Sequence, residues 1–133
     1  MSPDRAELLA AVERSPQAAK IHDRAGWVGL FAEDGCIEDP YGSRPHVGRL
    51  QIERFYDTFI GPRDITFHRD LDIVSGTSVV RDLTLEVTMS SRVTLMTPIF
   101  IRYDLRLDGD AWRIARLRAY WELRGRIREA LRH

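Results

Sequence analysis

The chain has a single cysteine, Cys36. No internal disulfide can form, so the fold has no oxidative staple, and a reducing cytoplasm is the expected home. There is no excess of either charge: 20 Lys and Arg balance 20 Asp and Glu, for a formal net charge of zero. Nucleic-acid and membrane-surface binders normally carry a basic surplus, so neither partner is expected. No apolar run approaches the length of a membrane span. Met1-Ser2-Pro3-Asp4-Arg5 lacks the basic-then-apolar order of a signal peptide. The histidines (His22, His46, His68 and His133) show no metal-ligand spacing. Gly42 and Gly48 do not make a phosphate-binding glycine loop, and no Ser-His-Asp or Cys-His arrangement is legible. No metal and no cofactor is expected. Repeats, low-complexity segments and linkers are absent as well.

What is there suits one domain over residues 1–133, with 44% hydrophobic and 30% charged residues. Pro3 and Asp4 can open a first helix with Leu8, Leu9 and Val12 as its apolar stripe. Ser15-Pro16 is expected to interrupt it and cap a new turn. Asp23 is a candidate cap for a second helix carrying Trp27, Leu30 and Phe31 on one face. Gly35 to Glu38 reads as a short strand ended by Pro40 and Gly42. A third helix is predicted from about Arg49 to Phe59, with Ile52, Phe55, Tyr56 and Phe59 on its buried stripe.

From Ile65 the period changes to two. Leu71 and Ile73 alternate with Asp70 and Asp72, and Leu83, Leu85, Val87 and Met89 alternate with polar residues. Ile99, Ile101, Tyr103, Leu105 and Leu107 share one face of a long strand, in which Pro98 suggests a bend or an edge. Asp108-Gly109-Asp110 is a hairpin turn. The last strand switches its apolar phase between Ile114 and Ala115, as a β-bulge would make it do. Leu123, Ile127 and Leu131, with arginines between, predict a short amphipathic helix. Helices followed by hairpin strands define an α+β fold: about three N-terminal helices on one face of a curved antiparallel sheet, together forming a cone around an apolar pocket.

One residue stands out chemically. Alternation sends Ile37 and Asp39 the same way, and Cys36 and Glu38 the other. If Ile37 faces inward, Asp39 is a carboxylate among apolar walls, whose charged form is disfavoured and which can serve as a general base. The competing reading is a turn aspartate hydrogen-bonding the backbone before proline.

Phe31-Ala32-Glu33-Asp34, Ile37-Glu38-Asp39-Pro40-Tyr41-Gly42, Gly48, Gln51-Ile52, Phe55-Tyr56 and Arg118-Ala119-Tyr120-Trp121 resemble the ketosteroid isomerases of the nuclear transport factor 2-like (SnoaL-like) superfamily. The resemblance implies a cystatin-like α+β barrel, a homodimer and a hydrophobic, steroid-like ketone as ligand. It matches Asp39 to the general base, Tyr56 to a tyrosine supporting the oxyanion network and Trp121 to a pocket-lining aromatic. That family joins its aspartate base to an oxyanion hole made of a tyrosine and a protonated aspartic acid. The family's tyrosine falls on Ser15 here. Its aspartic acid falls on Tyr103 or, without an insertion in the Asp108–Trp112 turn, on Asp104; alternation favours Tyr103 as the inward residue. The expected site is therefore Asp39, Tyr103 and Tyr56 in catalysis, lined by Trp27, Phe31, Phe55, Phe59, Met89, Leu105 and Trp121. The changed oxyanion positions leave two alternatives, a pocket that binds a steroid or polyketide-like ligand without turnover, and an epoxide hydrolase or cyclase on the same scaffold.

Overall fold

The structure, a computed structural model, describes residues 3–90 and 93–122, with the side chains of Met89 and Ser90 outside the description. The expected C-terminal amphipathic helix lies outside the described residues. In chain order the elements are α1 (Arg5–Lys20), α2 (Arg24–Val28), β1 (Phe31–Glu38), β2 (His46–Val47), α3 (Arg49–Phe55), a π-helical turn (Tyr56–Ile60), β3 (Asp64–Ser75), β4 (Ser78–Ser90), β5 (Val93–Asp108) and β6 (Ala111–Tyr120). The strands form one curved, unclosed sheet in the order β2-β1-β6-β5-β4-β3. The helices cover its concave face, giving the expected cone. One expectation needs correcting. The sheet is antiparallel except where β1 runs parallel to β6, with Ile37 beside Leu117 and Glu38 beside Arg118.

Local chemistry explains the helix ends. Asp4 caps α1 by accepting from the Ala6 amide at 3.0 Å. Asp23 caps α2 through the Gly26 amide at 2.9 Å, and a Cβ at Gly26 would sit 2.2 Å from the capping carboxylate. The expected break at Ser15-Pro16 does not occur. Pro16 lies inside α1, where it has no N–H to offer the Val12 carbonyl one turn back. Buried residues on both sides of it (Leu8, Ala11, Val12, Ser15, Ala18 and Ala19) carry the helix through the defect.

Three other expectations shift. β1 begins at Phe31 rather than Gly35, with a register irregularity between Phe31 and Cys36. α3 stops at Phe55 and continues as the π-turn, whose extra residue per turn rotates the following side chains. Phe59 is consequently 47% exposed instead of lying on a buried stripe. In β3 a bulge between Arg69 and Leu71 reverses the alternation, so Leu71 and Ile73 face outward while Asp72 turns in. The β6 bulge is where the phase switch places it: Asp104 pairs with Arg116 and Leu105 with Ile114. Pro98 sits in β5, an interior strand, where the described β5–β6 ladder begins only at Phe100.

The core lies between α1, α2, α3 and the sheet, built around Leu8, Val12, Trp27, Ile37, Ile52 and Ile114. It contains one large charged group. Arg81 occupies an inward position of β4 between Val79 and Leu83, and its side chain is 2% exposed. Its Nε donates to Asp72 Oδ1 at 2.9 Å and its Nη2 to Glu13 Oε2 at 2.6 Å, tying α1 to two strands.

Candidate functional site

Asp39 follows β1 directly, past the fully buried Ile37. The Asp39–Pro40 peptide is cis, and the Tyr41 amide donates to the Ala119 carbonyl at 2.7 Å, which holds the turn against β6. The parallel β1–β6 register thus brings Trp121, just past the end of β6, to the acid. Its indole Nε1 donates to Asp39 Oδ1 at 2.5 Å.

Asp39 and Trp121 form part of the wall of a cavity of about 290 Å³. Phe55, Phe59 and Ile60 close one side; Ile65, Leu85, Val87, Leu95 and Ile99 supply the sheet side. Arg63, in the turn before β3, completes the lining. Small-molecule sites usually span roughly 300–1,000 Å³ and combine apolar walls with a few polar groups, which is this composition at its small end. Alternation explains the wall: Ile65, Leu85, Val87, Leu95 and Ile99 are inward residues of three adjacent strands.

The other expected site residues lie elsewhere. Trp27 and Phe31 are buried behind Phe55, with Trp27 stacked on Phe55 at 6.1 Å and tilted against Phe31 at 5.0 Å. Leu105 is buried farther along β5. Met89 lies in β4, its side chain outside the described residues. Tyr56 packs on Trp27 at 5.5 Å and does not line the cavity. Burial raises its pKa, and so do Asp23 and Asp57, while Arg24 lowers it; these are groups of the outer helical face. Tyr103 is an inward residue of β5, 1% exposed and behind the cavity wall. Burial pushes its phenol up to about 12; the Arg81 guanidinium and a hydrogen bond from Ser15 pull the other way, and the charges of Glu13 and Asp39 push it up further. Ser15 and Tyr103 are thus neighbours, and the charge of Asp39 is felt at the Tyr103 phenol.

Cys36 is buried, and desolvation together with Glu38 holds its thiol in the protonated form. Among the described residues, no group of three His, Cys, Asp or Glu side chains is arranged to hold a metal ion. No described helix is long and apolar enough to cross a membrane.

The cone, with a lone cavity carboxylate held by an indole N–H among aliphatic and aromatic walls, defines a small-molecule pocket protein of the nuclear transport factor 2-like, ketosteroid isomerase-like class. Residues 7–104 match the nuclear transport factor 2 (NTF2) domain, and the chain belongs to that family. A steroid delta-isomerase of Nocardioides simplex is 28% identical over 116 residues, covering 87% of this chain and 90% of that protein. The Δ5-3-ketosteroid isomerase of a Mycobacterium species is 28% identical with a TM-score of 0.77, over 93% of this chain and 96% of the other. A Mycobacterium tuberculosis protein, RV0760c, solved in complex with estradiol-17β-hemisuccinate, is 26% identical with a TM-score of 0.78, over 93% and 97%.

Proposed function

We propose that the protein is a cofactor-independent isomerase of hydrophobic, steroid-like ketones, with Asp39 as the base. One observation carries this reading: a carboxylate at the wall of a mostly apolar cavity, its Oδ1 oriented by the Trp121 N–H. Asp39 takes a proton from the carbon alpha to the ketone, leaving a dienolate, and returns it to a different carbon, so proton and charge balance over the cycle. This reading assigns the enolate oxygen to Tyr103, which has to come forward from behind the wall to reach it, and gives Tyr56 the aromatic layer behind the wall. The steroid-named relatives favour the ligand class.

A second reading, binding without turnover, is favoured by the placement of both phenols behind the wall rather than on it. An oxyanion donor in a dry site contributes about 3–4 kcal/mol, so a phenol that does not reach the substrate removes a large rate factor. The two readings separate in one assay. Conjugation of a Δ5-3-ketosteroid is followed in the ultraviolet with wild type and Asp39→Asn. Wild-type turnover that the variant lacks supports the first reading. Thermal stabilisation by steroid without product supports the second. Equal rates for both proteins remove Asp39 from the mechanism. The outer sheet face exposes Phe100 and Tyr120, and the Tyr41 ring is tilted against Tyr120 at 5.3 Å; a second copy of the chain is the occupant assigned to that face. A monomer in sedimentation at assay concentration would remove that assignment.

A further inference from the structure

Arg63 has no part in the chemistry above, yet among the described residues it is the one cation on the cavity wall. Its position is fixed from behind. Nη1 donates to the Thr58 carbonyl at 2.9 Å and the Phe59 carbonyl at 3.3 Å, closing the end of the π-turn. His22 clamps the turn on both flanks, reaching the Gly61 carbonyl at 3.2 Å and the Asp64 carboxylate at 3.0 Å. The nearest acids along the chain are already engaged. Asp57 is held bidentately by Arg24 at 2.8 and 3.0 Å, and Asp64 by His22. Nε and Nη2 of Arg63 meet no acceptor among the described residues. A guanidinium with one nitrogen anchored and its remaining edge unmatched, beside apolar walls, is prepared to take an oxyanion through parallel N–H bonds.

We propose that Arg63 is an anion subsite and that the ligand is amphipathic: a fused-ring skeleton in the apolar cavity and an acidic group, such as a sulfate ester or a carboxylate, on the guanidinium at its edge. This rests on the pocket assigned above as the binding site, and it names the substrate class more narrowly than a neutral ketone.

The test compares testosterone with testosterone 17-sulfate, by titration calorimetry, on wild type, Arg63→Gln and Arg63→Lys. Gln can still donate to the π-turn carbonyls, and Lys keeps the charge without the fork. Arg63→Gln weakens the sulfate ester by roughly ten- to a hundredfold, the range of a charge-assisted hydrogen bond, and the neutral steroid by less than about threefold. Arg63→Lys falls between. Affinity for the sulfate ester declines as salt rises, and that for testosterone does not. Equal losses of both ligands in Arg63→Gln would show that Arg63 only closes the turn, and would overturn the proposal. Wild type binding testosterone but not its sulfate would overturn it while leaving the pocket reading intact. If wild type binds neither, both fail together.

Discussion

Replacing Arg81 with methionine tests how the deep end of the cone is held. Its guanidinium and the Asp72 carboxylate are 2% and 6% exposed, whereas Glu13 is 44% exposed. Methionine fills a similar volume and removes the charge, leaving Asp72 buried with only the surface Arg69 at 3.2 Å. Removing one partner of a buried pair costs about 3–5 kcal/mol. A chain of 133 residues unfolds with an entropy near 0.28 kcal/mol/K, so the melting temperature drops by roughly 10–18 °C. The same argument fixes the partners. Asp72→Leu alone is also costly, because it strands the buried Arg81. The double variant Arg81→Met/Asp72→Leu returns to within about 1 kcal/mol of wild type, since no buried charge is left unmatched. Glu13→Gln costs less than about 1 kcal/mol, because water already solvates that carboxylate. Urea unfolding midpoints at unchanged slope supply the four numbers. A double variant as unstable as the sum of the two singles would refute the reasoning, and so would a Glu13→Gln loss equal to that of Asp72→Leu.

Trp121→Phe keeps the ring and deletes the donor to Asp39; kcat/KM for the ketosteroid is expected to fall by roughly ten- to a hundredfold with the folding midpoint little changed. Unchanged kcat/KM would mean that the indole N–H does not orient the acid. Tyr103, pushed up to about 12 by burial, binds its proton more tightly in the folded chain than in the unfolded one, where the phenol titrates near 10. Its contribution is complete below about pH 10 and is lost as pH rises to about 12, a fall of about 3 kcal/mol in unfolding free energy. Tyr103→Phe should remove that alkaline fall while remaining folded at neutral pH; a parallel decline in both proteins over that window would show that Tyr103 does not titrate as described.

Features set by local alternation were legible in the chain. Ile37 placed Asp39 on the inner face, and the shift from Ile114 to Ala115 marked the β6 bulge. The β3 bulge escaped because Ile65 and Phe67 before it and Leu71 and Ile73 after it all fall at odd positions, so the apolar pattern runs unbroken across the change of phase. The π-turn escaped because Ile52, Phe55, Tyr56 and Phe59 fit an ordinary helical stripe. Arg81 offered no signal, since a charge at an inward strand position is explained only by partners nine and sixty-eight residues away. The Trp121 N–H on Asp39 depends on the parallel pairing of the first long strand with the last, which no short window contains. The cavity wall was half legible: Phe55, Phe59 and Trp121 line it, while Arg63 and the aliphatic residues of β3, β4 and β5 were not assigned to it.

The kink in β3 has a consequence beyond burial. That strand is the long border of an unclosed sheet, with twelve residues whose outer peptide groups face no neighbour within the sheet. A flat, greasy border of that length would invite edge-to-edge growth into fibrils. Here the irregularity breaks the ladder midway, and Arg69 and Asp70 place charge where a foreign strand would have to dock. The device that turns an acid inward to meet Arg81 also spoils the template for self-association.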